Sequence, residues 1–420
     1  MKENILLLFA IMPILVFSQT EKDSSKVVAL EEVILSRKIV KDYGNLPNQV
    51  EIIEQKDIEF QNFQTTAEML SNSGKLFVQK SQQGGGSPVI RGFEASRVLL
   101  LVDGIRMNNL IFRAGHLQNV ITVDENMLES VGVFYGPSST LFGSDALGGT
   151  VNMNTKKAKF LTETNKKLSG GIITRYGSVN EEKSVALDLN YAKDNFASLT
   201  IFSYNDFGDL RMGKQKNHNG DYFGERPFYV ETINGVDQVV ENDNKYLQKF
   251  TGYKQYNVMQ KLAYKSTSGF EHSLNLQFST TSDIPRYDRL SETSGTGLKH
   301  AEWYYGPQQR ILGIYSLSKE KVFFNSDMIF NLAYQNAKES RHNRRFGNYE
   351  LQNREENVNV YSATLDMERK FSRGELFYGF ESYFETVQSS AFKNNINTGE
   401  VSGLDSRYPN GDNNMFRNDF

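Results

Sequence analysis

The sequence predicts a small α+β domain followed by an antiparallel transmembrane β-barrel, incomplete in this chain at about nine strands. Three observations predict it. After Lys166, segments of about ten residues alternate apolar and polar side chains, the period of a strand with one greasy and one wet face. The connections between those segments alternate between short and long. Ahead of them, residues 45–160 mix helix caps, glycine turns and strand-like runs over about one hundred residues, an ordinary domain size.

The composition agrees. Of 420 residues, 39% are hydrophobic, too few for a bundle of membrane helices, yet Phe (29) and Tyr (21) are abundant, as on a lipid-facing strand surface. A net charge of −3 supplies no field for nucleic acid. With no cysteine, a disulfide framework and thiolate metal sites are excluded.

Taken in order, residues 1–18 read as a signal peptide. Lys2 precedes the apolar stretch Ile5 to Phe17, too short to span a bilayer comfortably, and Val16 and Ser18 fit the cleavage rule. Residues 19–44 form a linker. Within it, "VVALEEVILSRK" (Val27 to Lys38) is an isolated apolar patch prone to β structure, suited to adding to another protein's sheet edge or to docking on its own domain. In the α+β domain, "NQVEIIEQKDI" alternates like a strand. "TTAEMLSNSG" reads as a short helix capped by Thr66 and stopped at Gly74. "LFVQKS" and "PVIRGF" are strands around the turn "QQGGGSP", and "SRVLLLVDGIRM" is an apolar strand closed by an Asp-Gly turn. "DENMLESVGVFYG" reads as a helix followed by a strand, and "GPSSTLFGSDALGGTVNMNTKK" as a helical turn, glycines and a closing strand.

The barrel covers residues 165–420, with strands near 168–177, 183–192, 195–205, 254–266, 270–281, 308–318, 323–338, 357–369 and 374–389. In "SVALDLNYA", Val185, Leu187, Leu189 and Tyr191 share one face; "HSLNLQFST" repeats the pattern with Leu274, Leu276 and Phe278. Long connections at 206–253, 282–307, 339–356 and 390 onward face short ones such as "STSG" and "SRG", the two-sided bias of a membrane barrel. The final stretch "RYPNGDNNMFRNDF" reads as a polar loop, so the chain is expected to be the first part of a longer barrel protein.

A small domain ahead of such a barrel suggests a plug, and "VIRGF", "RVLLLVDGIRM" and "VFYGPSSTLFGSDALGGTVNM" resemble the plug domain of TonB-dependent outer-membrane receptors. "LEEVILS" (Leu30, Glu31, Glu32, Val33, Ile34, Leu35 and Ser36) resembles their TonB box. The resemblance implies an outer-membrane protein of a Gram-negative bacterium with TonB as its periplasmic partner. "RMNNLIFRAGHLQNVITVDENMLES", "SDIPRYDRL", "AEWYYGPQQR" and "YQNAKESRHNRRFGN" are similar to the subgroup that takes haem or haemoglobin. That likeness implies haem as transported ligand, a haem-carrying protein outside, and His116, in Gly115-His116-Leu117, as axial iron ligand. Imidazole suits iron; the bland alternative is a solvated loop side chain. His342 in "ESRHNRRFG", with Arg341, Arg344 and Arg345, and His218 in "KQKNHNGDYFG" are further ligand-loop candidates, because guanidinium forks grip carboxylates. A ferric-siderophore or cobalamin receptor, and a non-transporting adhesin or signalling receptor on the same scaffold, are the competing readings.

No enzyme is expected. "GPSSTLFGSD" lacks the Gly-Lys-Ser/Thr of a phosphate loop, "FGSDALGG" is not a nucleophile elbow, and no His-Glu-x-x-His occurs. No permanently bound cofactor is implied.

Overall fold

The computed structural model describes residues 49–112, 120–138, 142–216, 218–220, 224–295, 297–409 and 411–419. The expected signal peptide and TonB box lie outside these residues, as does His116 with its neighbours Gly115 and Leu117.

The chain begins with strand β1 (Val50–Glu54), helix α1 (Gln55–Gln61) and helix α2 (Thr66–Asn72). Strands β2 (Phe77–Gln79), β3 (Ser87–Val89), β4 (Val98–Val102), β5 (Ile105–Arg106), β6 (Leu128–Tyr135) and β7 (Gly149–Thr155) follow. Five of them form a sheet in the order β1-β6-β7-β4-β5, with β4 and β7 parallel. The apolar run of β4 is buried throughout because both of its faces are covered. Val98, Leu100 and Val102 join the main core, and Leu99 and Leu101 pack with Phe134, Phe142 and Ala146. The Asp-Gly turn after β4 forms as expected, with Asp103 and Gly104 both at positive φ (48° and 80°).

Local chemistry revises three details of this module. The alternating run "NQVEIIEQKDI" divides after Glu54, whose N–H meets Asp57 Oδ2 at 3.4 Å and starts α1. The cap of α2 is Thr65, which accepts from Glu68 N at 3.2 Å; Thr66 instead donates to Val123 O. The helix expected in "DENMLES" is a single 3-10 turn at Glu125–Met127, because Asp124 caps it and the apolar run behind pairs at once as β6.

Helix α3 (Leu161–Thr164) leads into a large antiparallel sheet. Its strands β8 (Leu168–Gly177), β9 (Glu182–Lys193) and β10 (Phe196–Phe207) are joined by tight turns. The expected loop 206–253 holds β11 (Leu210–Arg211), the hairpin of β12 (Phe228–Ile233) and β13 (Val236–Glu241), and β14 (Leu247–Gln248). Strands β15 (Tyr253–Lys265) and β16 (Glu271–Thr281) return to the main sheet. The next connection carries β17 (Ile284–Pro285), α4 (Tyr287–Leu290), β18 (Thr293–Ser294), β19 (Gly297–Leu298) and β20 (His300–Tyr305). Then come β21 (Gln309–Lys319), β22 (Asp327–Arg345), β23 (Glu350–Phe371), β24 (Gly374–Asn395), β25 (Val401–Gly403) and β26 (Gly411–Asp419).

Two expectations about this half are corrected. Residues 339–356 are not a loop: β22 and β23 continue as one hairpin in unbroken register from Asp327↔Glu368 to Asn343↔Gln352. Cross-strand pairing carries the ladder past the greasy segment, so hydropathy alone truncated it. The stretch 411–419 is not a loop either. It pairs with β24 from Ser389↔Gly411 to Glu381↔Asp419, which adds a tenth strand to the nine expected.

On the outer face the expected apolar residues are exposed, among them Leu187, Leu189, Tyr191, Leu276, Leu332, Tyr334, Phe380 and Phe384. An amide band bounds this belt on β22 and β23: Asn336 Nδ2 donates to Asn357 Oδ1 (2.7 Å) and Asn359 Oδ1 (2.9 Å). The inner face is less polar than alternation suggests. Leu199, Ile201, Met259, Leu312, Ile314, Val358 and Val360 are buried there, in clusters shared with the α+β module. The sheet wraps that module, so its inward side chains meet protein rather than water. Among the described residues, no helix is long and apolar enough to cross a membrane.

Candidate functional site

Residues 113–119, which carry His116, lie outside the described structure, but both flanks are placed. On one side, Leu110 N donates to Glu385 Oε2 of β24 at 3.0 Å, and the Tyr408 hydroxyl donates to Leu110 O at 3.4 Å. On the other, Ile121 O accepts from Gln255 Nε2 of β15 (2.6 Å) and Thr122 O from Arg310 Nη2 of β21 (3.4 Å). The two flanks therefore stand against the inner wall of the sheet. Phe112, Thr122, Arg310, Gln335 and Val360 line a cavity of about 30 Å³ between them. That is room for about one water. Arg310 is 6% exposed, and its Nε and Nη1 have no hydrogen-bond partner.

The other candidates separate by face. His342 sits on a strand, buried, its ring stacked on Tyr304 (centroids 4.7 Å, 18°), with Nδ1 2.6 Å from Asn353 Oδ1. Arg344 is 1% exposed and fully engaged. It donates to Glu302 (2.7 Å), to both Asp237 oxygens (2.8 Å each), to Asn348 O (2.7 Å) and to Thr232 Oγ1 (2.8 Å). These bonds fasten the β12–β13 hairpin to β22, so Arg344 is a structural brace rather than a free ligand hook. Asp237 is raised by burial, but the Arg344 fork, the Gly347 amide and the Thr232 hydroxyl outweigh that and hold its carboxyl below the ordinary range. Arg345 and His218 are exposed. Arg341, one residue before His342, points to the opposite, inward face.

Sequence reasoning missed a second set of residues, the polar contacts that hold the α+β module to the wall. Asp103, in the turn after β4, accepts from Thr155 N (2.8 Å), Thr155 Oγ1 (2.5 Å) and Asn275 Nδ2 (2.6 Å), and pairs with Lys261 Nζ (3.3 Å). Asp124 Oδ2 accepts from Ser203 Oγ (2.7 Å) and Asn257 Nδ2 (2.8 Å). Arg175 bridges Glu182 (2.8 Å) and Glu125 (3.2 Å) and donates to Phe63 O (2.7 Å). Gln335 Nε2 of β22 donates to Arg106 O (2.7 Å), while Arg417 joins Asp145 (3.3 Å) to Glu385 (3.7 Å). One signal was available: Lys261 is a charge set among the inward residues Gln255, Asn257, Met259 and Ala263 of β15. Its partner, in a turn 158 positions earlier by number, had no such mark.

A glycine-turned α+β module inside a wrapped antiparallel sheet, fixed to it by polar contacts, is a specific arrangement. Residues 43–150 match the family model described as TonB-dependent Receptor Plug Domain. The chain carries the plug domain of a TonB-dependent receptor. Among its curated relatives are a hemin receptor of Yersinia enterocolitica, 25% identical over 205 residues (49% of this chain, 29% of the relative), and the vitamin B12 transporter BtuB of Vibrio vulnificus, 27% identical over 225 residues (52% and 29%). Among solved structures, the Serratia marcescens hemophore receptor HasR, in complex with its hemophore HasA and heme, matches with TM-score 0.62 at 16% identity. That match covers 82% of this chain and 46% of HasR, and at such identity it establishes the fold. The chain thus spans under a third of each of these curated relatives and just under half of the solved one. The α+β module is that plug, and the wrapped sheet is barrel wall.

Proposed function

We propose that this receptor sits in the outer membrane and imports haem, or iron as haem, with His116 as an axial ligand at the plug apex. The observation that carries the reading is the placement of the 113–119 flanks. Both are pinned to the inner wall, at Glu385 and Tyr408 on one side and at Gln255 and Arg310 on the other. In the sequence, Gly115, His116 and Leu117 fall between these two wall-held flanks, which a ligand descending the lumen would meet. The similarity to a hemin receptor supports haem as cargo. A haem-carrying protein is the partner outside, and TonB the partner within the periplasm, pairing by strand addition with Leu30 to Ser36.

The plug's attachment suits such a cycle. Beside the apolar clusters that the plug shares with β10, β15, β21 and β23, its contacts with β8, β10, β15 and β16 include hydrogen bonds and ion pairs, each worth about 0.5–3 kcal/mol. These polar contacts can be exchanged one at a time for water when the plug is pulled. The receptor's own residues supply no energy; a TonB-linked complex does.

The test is titration of the full-length receptor with hemin, following the Soret band, with His116→Ala alongside. A band shifted on binding, and altered or lost in the variant, supports the reading; an identical spectrum in both sinks the ligand role. The comparable similarity to a vitamin B12 transporter favours cobalamin as the second reading, so cyanocobalamin is titrated in parallel.

A further inference from the structure

Above the amide band, the inward faces of β20, β22 and β23 bring cations together. Arg341 lies directly opposite Arg354 across β22–β23. On its other side it lies opposite Tyr305 of β20. Like charges placed opposite each other in a sheet repel, and Arg407 adds a third positive charge near Arg341. Burial, then Arg407 and Arg354, push the Arg341 guanidinium down to about 10, although Glu356 on the same face works the other way. Its Nε is buried without a hydrogen-bond partner. Three residues along the same strand, on the outward face, Arg344 has its donors occupied by Asp237, Glu302, Thr232 and Asn348. The fold can satisfy an arginine at this height, and it leaves Arg341 unsatisfied.

The row also has a place on the route inward. Arg354 pairs with Ala391 of β24, six positions beyond Glu385, which holds Leu110 beside the 113–119 segment. Six residues of strand are about 20 Å. Lower on the same face is Arg310, paired with Ala337, its Nε and Nη1 unused. That is four residues, or about 13 Å, below Arg341.

We propose that Arg341 and Arg354 form a binding subsite for the carboxylate groups of the incoming ligand, on the wall above the plug apex. A guanidinium pair suits this chemistry because each fork grips one carboxylate through two parallel N–H donors. The Tyr305 hydroxyl, which accepts from Arg286 Nη1 at 3.2 Å, borders the site. The inference deepens the import reading and rests on it only for the direction of travel. The anion site stands on the cations themselves, Arg341 with its Nε unpartnered and Arg354 with one donor on Gln352 Oε1 at 3.2 Å.

The experiment uses the full-length receptor in detergent at low salt. Citrate, a tricarboxylate without iron or porphyrin, is titrated by calorimetry into wild type, the double variant R341Q/R354Q, the single variant R354Q and the control K370Q, which removes an exposed charge from the far end of β23. Circular dichroism and heat stability confirm that each variant is folded. Expected are saturable binding to wild type, weakening of at least about tenfold in the double variant and a smaller loss in R354Q, with K370Q unchanged. Absence of saturable binding to wild type, equal affinity in the double variant, or an equal loss in K370Q would overturn the subsite. In a second arm, hemin is compared with its dimethyl ester. A preference for hemin that disappears in R341Q/R354Q supports the subsite, and a preference that persists overturns it. If neither porphyrin binds, the haem reading falls, and the citrate titration decides the subsite by itself.

Discussion

Replacing Asp103 by Asn tests whether the plug is held by its polar contacts. Asn keeps the side-chain size and tolerates the positive φ of 48° at this turn, so backbone strain does not confuse the result. What changes is charge and acceptor capacity. Oδ2 now accepts from Thr155 Oγ1 and Asn275 Nδ2 and faces Lys261 Nζ at 3.3 Å, all at a site where the two charged side chains are 12% and 9% exposed. After substitution, Lys261 keeps only the Thr155 carbonyl, at 3.2 Å, among its described acceptors. Removing one partner of a buried ion pair costs about 3–5 kcal/mol when nothing replaces it. Retained amide acceptance reduces this to about 2–3 kcal/mol. At 1.4 kcal/mol per tenfold, local opening should rise about 30- to 100-fold. Hydrogen–deuterium exchange of peptides covering β4–β5 and β7 reads that directly, while strands β22–β24 serve as internal reference. Lys261→Met alone should cost less, since Asp103 keeps its Thr155 and Asn275 donors. The double variant should fall short of the sum of the two by about 1–3 kcal/mol. Unchanged exchange in Asp103→Asn, or strict additivity, would refute the reasoning.

Two further outcomes follow from the same structure. Asp237 has a depressed carboxyl pKa, so its contribution is complete above the ordinary value of 3.8 and is lost as pH falls through the lower folded value. Protection of the β12–β13 hairpin from proteolysis should therefore persist at neutral pH and fail only under strongly acid conditions, whereas Asp237→Asn should be cleaved faster at every pH, and a wild-type loss already near pH 6 would contradict this. Gly149→Ala should prevent stable plug assembly, at a cost of about 3 kcal/mol or more, because a Cβ there would lie 2.4 Å from Phe134 O and 3.0 Å from Ile90 Cδ1; a folded variant with wild-type melting would count against it.

The sequence by itself determined the architecture. Period-two alternation marks which side of a strand meets protein or water and which is left apolar outside, and that constraint is local, so Leu187, Leu274 and Leu332 could be placed on the outer face from their neighbours alone. The apolar run at β4 and the Asp-Gly turn behind it are likewise local signals. Tertiary structure decided three things. Pairing decided strand length, because β22, β23 and β26 continue on ladder hydrogen bonds through polar residues that carry no hydropathy signal. Enclosure decided the inner surface: a lumen filled by the plug makes Leu199 and Val360 core residues where alternation predicted wet ones. Distance decided the chemistry of the arginines, since Arg341 and Arg344 lie three residues apart in one charged run. Only the fold sets one in ion pairs with Asp237 and Glu302, and the other directly opposite Arg354 on the neighbouring strand.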